Sequence, residues 1–111
     1  MARCRILHLC SQLLDLYGDY RNVDALCQRI EESGVTAEVD RPDLWDDFVL
    51  DGYDLVYLGH GTAANLAEAA RVLVPHAEAI RAHVEAGQTF FVTGNAQELI
   101  NIVWRGLTIR L

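Results

Sequence analysis

Apolar residues along the chain gather in short clusters punctuated by Gly, Pro and Asp, and the clusters alternate between two periods. Arg5 to Cys10, with Ile6-Leu7-His8-Leu9 at its centre, is almost continuously apolar, as a strand covered on both faces is. Ser11 to Arg21 is a loop or short helix, rich in Leu and Asp, that contains Tyr17-Gly18-Asp19. Asn22 can cap a helix running to Ser33, in which Val23, Leu26, Cys27 and Ile30 recur at i, i+3, i+4 and i+7. Gly34 ends it as a left-handed cap. Val35 to Val39 alternates apolar and polar residues, the pattern of an edge strand, and Arg41 to Gly52 is a connector. Asp54 to Leu58 forms a third strand, stopped by Gly59-His60-Gly61. From Ala63 to Ala86 the period is helical, with Leu66, Ala69, Ala70, Leu73, Ala77, Ile80 and Val84 on one face. Pro75 predicts a kink or break in it, and Gly87 its end. Thr89 to Val92 is a fourth strand, halted at Thr93-Gly94-Asn95. A last helical pattern places Ala96, Leu99, Ile100 and Val103 together as far as Trp104, and Leu107 to Leu111 starts another strand.

Strands separated by helices imply right-handed crossovers and a parallel sheet. The expected fold is a single α/β domain over residues 1–111. It is three-layered and flavodoxin-like, with strand order 2-1-3-4. That order reverses direction between strands 1 and 3, and ligands of such sheets sit at the carboxyl edge near the reversal. Cys10, the Gly59-His60-Gly61 loop and Thr93 all fall on that edge. The stretch from Phe90 to Leu99 has the strand–turn–helix shape of an elbow that presents one side chain, here Thr93, beside the free amides and positive dipole end of the following helix.

Composition narrows the functional classes. Of the 111 residues, 51% are hydrophobic, which predicts a packed globule. Nine basic residues against 16 acidic ones give a net charge of -7 with no basic cluster, which disfavours nucleic acid and anionic membranes as partners. The apolar runs are too short to span a bilayer and the start lacks the apolar core of a signal peptide, so a cytoplasmic location is expected. Cys4, Cys10 and Cys27 form no CxxC pair, so neither a disulfide framework nor a metal site is expected. Asp43, Asp46, Asp47 and Asp51 do not follow the spacing of a calcium loop and are expected to be a solvated acidic connector.

Ile6-Leu7-His8-Leu9 with Leu13 to Val23, then Asp54 to Gly61, then Phe91 to Leu99 together resemble the class I glutamine amidotransferases of the cobyric-acid-synthase type, and most of all the glutaminase subunit of lipid II isoglutaminyl synthase. Ile6-Leu7-His8-Leu9 followed by Leu13-Leu14-Asp15-Leu16-Tyr17-Gly18-Asp19-Tyr20-Arg21-Asn22-Val23 is the most specific of them. Asp54 to Gly61 resembles the family's strand ending in a glycine-rich oxyanion loop. Phe91-Val92-Thr93-Gly94-Asn95-Ala96-Gln97-Glu98-Leu99 resembles its nucleophile elbow. The likeness runs through nearly the whole chain but covers only about the first half of a family domain. It implies hydrolysis of glutamine to glutamate and ammonia through a cysteine thioester, two backbone amides for the oxyanion, delivery of ammonia to a synthetase partner of the Mur-ligase kind, and no cofactor.

The departures from that pattern fall at the chemistry. Thr93 stands where the family has cysteine, while Gly94 and Gln97 match. Asn95 and Ala96 replace a glycine and an aromatic, and His60 replaces a glycine of the oxyanion loop. None of His8, His60, His76 and His83 matches the family's base, which belongs to the later half. A threonine hydroxyl without a base is a poor nucleophile, so the expectation is a glutaminase-like domain without activity. Thr93 is then a substituted nucleophile that still meets a ligand with Gly59, His60, Gly61, Gly94, Asn95 and Gln97, or a turn residue capping the next helix. The Gly59 loop is a residual oxyanion loop or a plain strand-to-helix turn. His60 is an exposed loop histidine in preference to a base approaching Thr93. His8 is expected to be a satisfied core side chain, Cys27 a core residue, and Cys10 not a surrogate thiol, because no elbow follows it. "TGNAQE" also resembles the phosphate loop of flavodoxins, but there the loop follows the first strand. A response-regulator reading fails because Gly59 ends the third strand where an aspartate is needed. The alternative is a non-catalytic flavodoxin-like module that homodimerises through an edge flank carrying Leu107, Ile109 and Leu111.

Overall fold

A computed structural model describes residues 2–16, 18–44, 46–93 and 96. The expected helix from Ala96 to Trp104, the strand from Leu107, the dimer flank, and the candidate residues Gly94, Asn95 and Gln97 lie outside the described residues.

The chain forms β1 (Arg3–His8), α1 (Asp19–Glu32), β2 (Thr36–Asp40), β3 (Leu55–Leu58), α2 (Ala63–Leu73), α3 (Ala77–Glu85) and β4 (Thr89–Val92). The four strands are all parallel, in the order β2-β1-β3-β4. This is the order of the first four strands of a flavodoxin-like sheet, with its direction reversing at β1/β3.

Alternation along the strands divides the core in two. Leu7, Val56 and Leu58 face the layer of α2 and α3 and bury Leu66, Ala69, Ala70, Val72, Leu73, Ala77 and Ile80. Ile6 and Tyr57 face α1 and pack on Val23, with Cys4, Leu26, Cys27 and Ile30 around them. Each fully buried Leu or Ile contributes roughly 1.5–3 kcal/mol through removal of apolar surface from water. The two helix layers therefore pin the sheet from both sides and leave its carboxyl edge to the loops.

Some boundaries differ from expectation for physical reasons. β1 begins at Arg3 because Arg3, Cys4 and Arg5 pair with Thr36, Ala37 and Glu38 at the amino end of the sheet. It stops at His8, since Cys10 takes a left-handed backbone (φ 54) that turns the chain away from the sheet. The Cys10 carbonyl then accepts the amides of Leu13 and Leu14. Helix α1 starts at Asp19, three residues before the expected cap at Asn22. Gly18 enters it with φ 76, open to glycine without strain, and the Asp15 carboxylate caps the first turn by accepting the Tyr20 amide at 2.9 Å. The long helical stretch breaks as Pro75 requires, through a 3₁₀ turn at Val74–His76. Val84, on the last turn of α3, is 38% exposed and does not share the buried face of Ala77 and Ile80.

Candidate functional site

Three segments meet at the carboxyl edge. β3 delivers Gly59-His60-Gly61, β4 delivers Thr93, and the β1–α1 loop folds across both to deliver Asp19. The Thr93 amide donates to the Leu58 carbonyl at 3.0 Å, continuing the β3–β4 ladder one residue past the strand. The Ala96 amide donates to the Thr93 carbonyl at 3.1 Å, so the chain turns there, and Ala96 is buried.

Asp19 is the residue the edge is built on. Its side chain is fully buried. Oδ1 accepts the Tyr57 hydroxyl at 2.8 Å and lies 3.5 Å from Asn22 Nδ2; Oδ2 accepts the His60 amide at 3.0 Å. A carboxylate in the first turn of a helix is also favoured by the helix dipole. Burying this charge is tolerable only because donors surround it. Tyr57 is held on the other side by Phe91, whose ring stacks on it at 5.4 Å. Burial, and then the bond to Asp19, raise the pKa of the Tyr57 hydroxyl, so it remains a donor.

Gly59 makes that approach possible, and Gly61 makes room for the loop beside it. A β-carbon on Gly59 would fall on the Asp19 carboxylate and within 2.5 Å of the Leu14 carbonyl oxygen. One on Gly61 would meet the Leu14 side chain at 2.6 Å. Gly59 is therefore needed for the segment carrying Leu14 and Asp19 to close over the end of β3, and Gly61 leaves room for the Leu14 side chain. Two further bonds hold the loop there: Leu16 donates its amide to the His60 carbonyl, and Asn65 Nδ2 donates to the Leu13 carbonyl at 3.0 Å.

Thr93 and His60 are brought together. Thr93 Oγ1 lies 3.1 Å from His60 Nδ1, 3.4 Å from Asp19 Oδ1 and 3.4 Å from the Leu58 carbonyl oxygen. The expectation that His60 is an exposed loop histidine is corrected: its side chain is 25% exposed, packed between Thr93 and Asp19. The convergence nevertheless differs from a nucleophile–base–acid relay. In a relay one ring nitrogen faces the nucleophile and the other faces the carboxylate. Here Nδ1 faces both, at 3.1 Å to Thr93 and 3.7 Å to Asp19 Oδ1. A bare Nδ1 would point its lone pair toward the carboxylate. Protonated at Nδ1, the ring donates to Thr93 Oγ1, and the threonine proton turns to Asp19 or to Leu58. The nitrogen beside the hydroxyl then has no vacancy for its proton.

The other sequence candidates are placed apart from this cluster or buried beneath it. Cys10 is 3% exposed and burial pushes its thiol up to about 12, so it is inert at neutral pH. Cys27 is partly buried at the side of the α1 layer. His8 is buried and half satisfied: Nδ1 accepts Arg41 Nε at 3.0 Å, while Nε2 has no partner among the described residues. Among the described residues no group of three or more His, Cys, Asp or Glu converges as a metal site would. No helix among them is long and apolar enough to cross a membrane.

Asp19 and Tyr57 are the site residues that the pattern of the chain did not single out. Tyr17-Gly18-Asp19 stands out in the sequence within the Leu- and Asp-rich stretch after the first strand and as part of the resemblance, without a role for its carboxylate, and a strand tyrosine has no signature at all. Fold and site together define a parallel α/β domain whose carboxyl edge carries a threonine, a histidine and a buried carboxylate in contact. Compared with known protein families and with curated proteins, the chain matches none.

Proposed function

We propose that this chain is a glutamine amidotransferase-like domain that does not hydrolyse glutamine. Its role is to present the carboxyl edge to a small amide ligand and a synthetase partner of the Mur-ligase kind. The observation that carries the proposal is the position of Asp19. Thr93 occupies the strand end at which the sequence resemblance puts a nucleophile, and the Gly59-His60-Gly61 loop lies opposite it. The His60 amide, which an oxyanion loop would aim at substrate, is bonded to Asp19. The Thr93 hydroxyl sits beside a negative charge and faces a ring nitrogen that carries a proton in the favoured arrangement. Each feature opposes formation of an alkoxide or an oxyanion there.

The test is ammonia release from glutamine by the pure protein. None above the buffer rate is expected; release that Thr93→Ala abolishes would overturn the proposal. A second reading, self-association without a small ligand, is favoured by one observation: Phe91 on β4 is 48% exposed although it stacks on Tyr57. Sedimentation distinguishes the two, since a monomer at high concentration removes the second.

A further inference from the structure

We propose that Asp19 is the positioning residue of the carboxyl edge: its charge disfavours negative charge at position 93 and sets the site to accept hydrogen-bond donors in preference to anions. The ligand class that follows is a neutral primary amide or an ammonium group, and not a carboxylate. Naming that ligand as an amide rests on the glutaminase-like reading; the effect of the charge does not.

The geometry gives three links. Asp19 Oδ1 is 3.4 Å from Thr93 Oγ1, inside the range where one charge governs the ionisation of another group. The carboxylate is fully buried, so water screens it little. It is also fixed, by the Tyr57 hydroxyl at 2.8 Å, by the His60 amide at 3.0 Å and by Gly59, which leaves no space between it and the end of β3. A negative group arriving at Thr93 would meet this charge, and the nearby His60 amide is already bonded to Asp19. An N–H group would meet the oxygen of Thr93 polarised by the same charge. Among the described residues, the titratable groups facing position 93 are Asp19 from α1, Tyr57 from β3 and His60 from the loop after it.

Thr93→Cys turns this electrostatic field into a measurable ionisation. The full chain carrying it is alkylated with iodoacetamide across pH, and the introduced thiol is followed by peptide mass spectrometry, apart from Cys4, Cys10 and Cys27. Its apparent pKa is expected to lie at least about one unit above the roughly 8.5 of a free cysteine. Adding Asp19→Asn is expected to bring it down by about one unit or more. Ionisation at or below the free-cysteine value, or a profile that Asp19→Asn leaves unchanged in a protein that unfolds cooperatively, would overturn the proposal. Where Asp19→Asn does not fold, Tyr57→Phe replaces it. Removing that donor from the carboxylate raises the thiol pKa further if the charge governs, and leaves it in place if burial alone does. A chloroketone made from glutamine is compared with one made from an unrelated amino acid to test the ligand. Equal rates count against the glutamine reading and leave the alkylation profile to judge the role of Asp19.

Discussion

Acidification will destabilise this protein through His8. His8 is fully buried between Tyr20 and Tyr57 under the Arg41 guanidinium, whose Nε donates to Nδ1. Burial and then the Arg41 charge lower its pKa from 6.5 to about 4. The unfolded chain thus takes up a proton on this ring near pH 6.5 and the folded one only near 4. Between those values the unfolded state binds more protons, so stability falls as pH falls. With 1.36 kcal/mol per pKa unit, the full loss is about 3 kcal/mol, of which about 2 kcal/mol is reached by pH 5. The assay is urea unfolding of the wild type and of His8→Gln at pH 7 and pH 5. His8→Gln shifts the baseline stability but has nothing to titrate, so comparing the two pH differences isolates the ring. The wild-type midpoint should fall by about 1–2 M more than that of the variant. Equal falls in both proteins would show that His8 is not held neutral, and the reasoning from its burial would fail.

Two other changes probe the carboxyl edge. Gly59→Ala forces a methyl group into the Asp19 carboxylate and the Leu14 carbonyl and should cost about 1–3 kcal/mol in chemical unfolding, whereas Gly34→Ala, which meets no atom within 4 Å, should cost only the strain of its left-handed backbone. Tyr57→Phe leaves the buried Asp19 one donor short and should cost about 1–3 kcal/mol; Tyr53→Phe, whose hydroxyl serves the exposed Asp40, should cost less.

Much of the sheet was legible because β-period and helix-period segments alternate in a single order. Thr89–Val92 lies where the apolar run put it, and Pro75, which has no amide to donate, breaks its helix through a 3₁₀ turn. The start of α1 was misplaced because its first turn is capped from outside the helix, by Asp15, rather than by a residue at its own boundary. Thr93 was legible as a strand-end residue, since topology alone brings the ends of β3 and β4 together. Asp19 was not, because it reaches Thr93 from 74 positions away through the path of a loop. The Tyr17-Gly18-Asp19 run and the two glycines of the Gly59 loop were its only traces. Gly59 and Gly61 suit a turn or an anion loop equally, and what they accommodate here is a packed carboxylate at Gly59 and the Leu14 side chain at Gly61.

The protonation of His60 decides between a held hydroxyl and an activated one. Nitrogen NMR of the selectively labelled imidazole at neutral pH reads it directly. With Asp19 and Thr93 both on Nδ1, the proton is expected on Nδ1 in the folded protein and should leave it in Asp19→Asn. A neutral ring protonated only at Nε2, with a bare Nδ1 turned to Thr93, would make His60 a base and contradict the claim that this edge binds without hydrolysing.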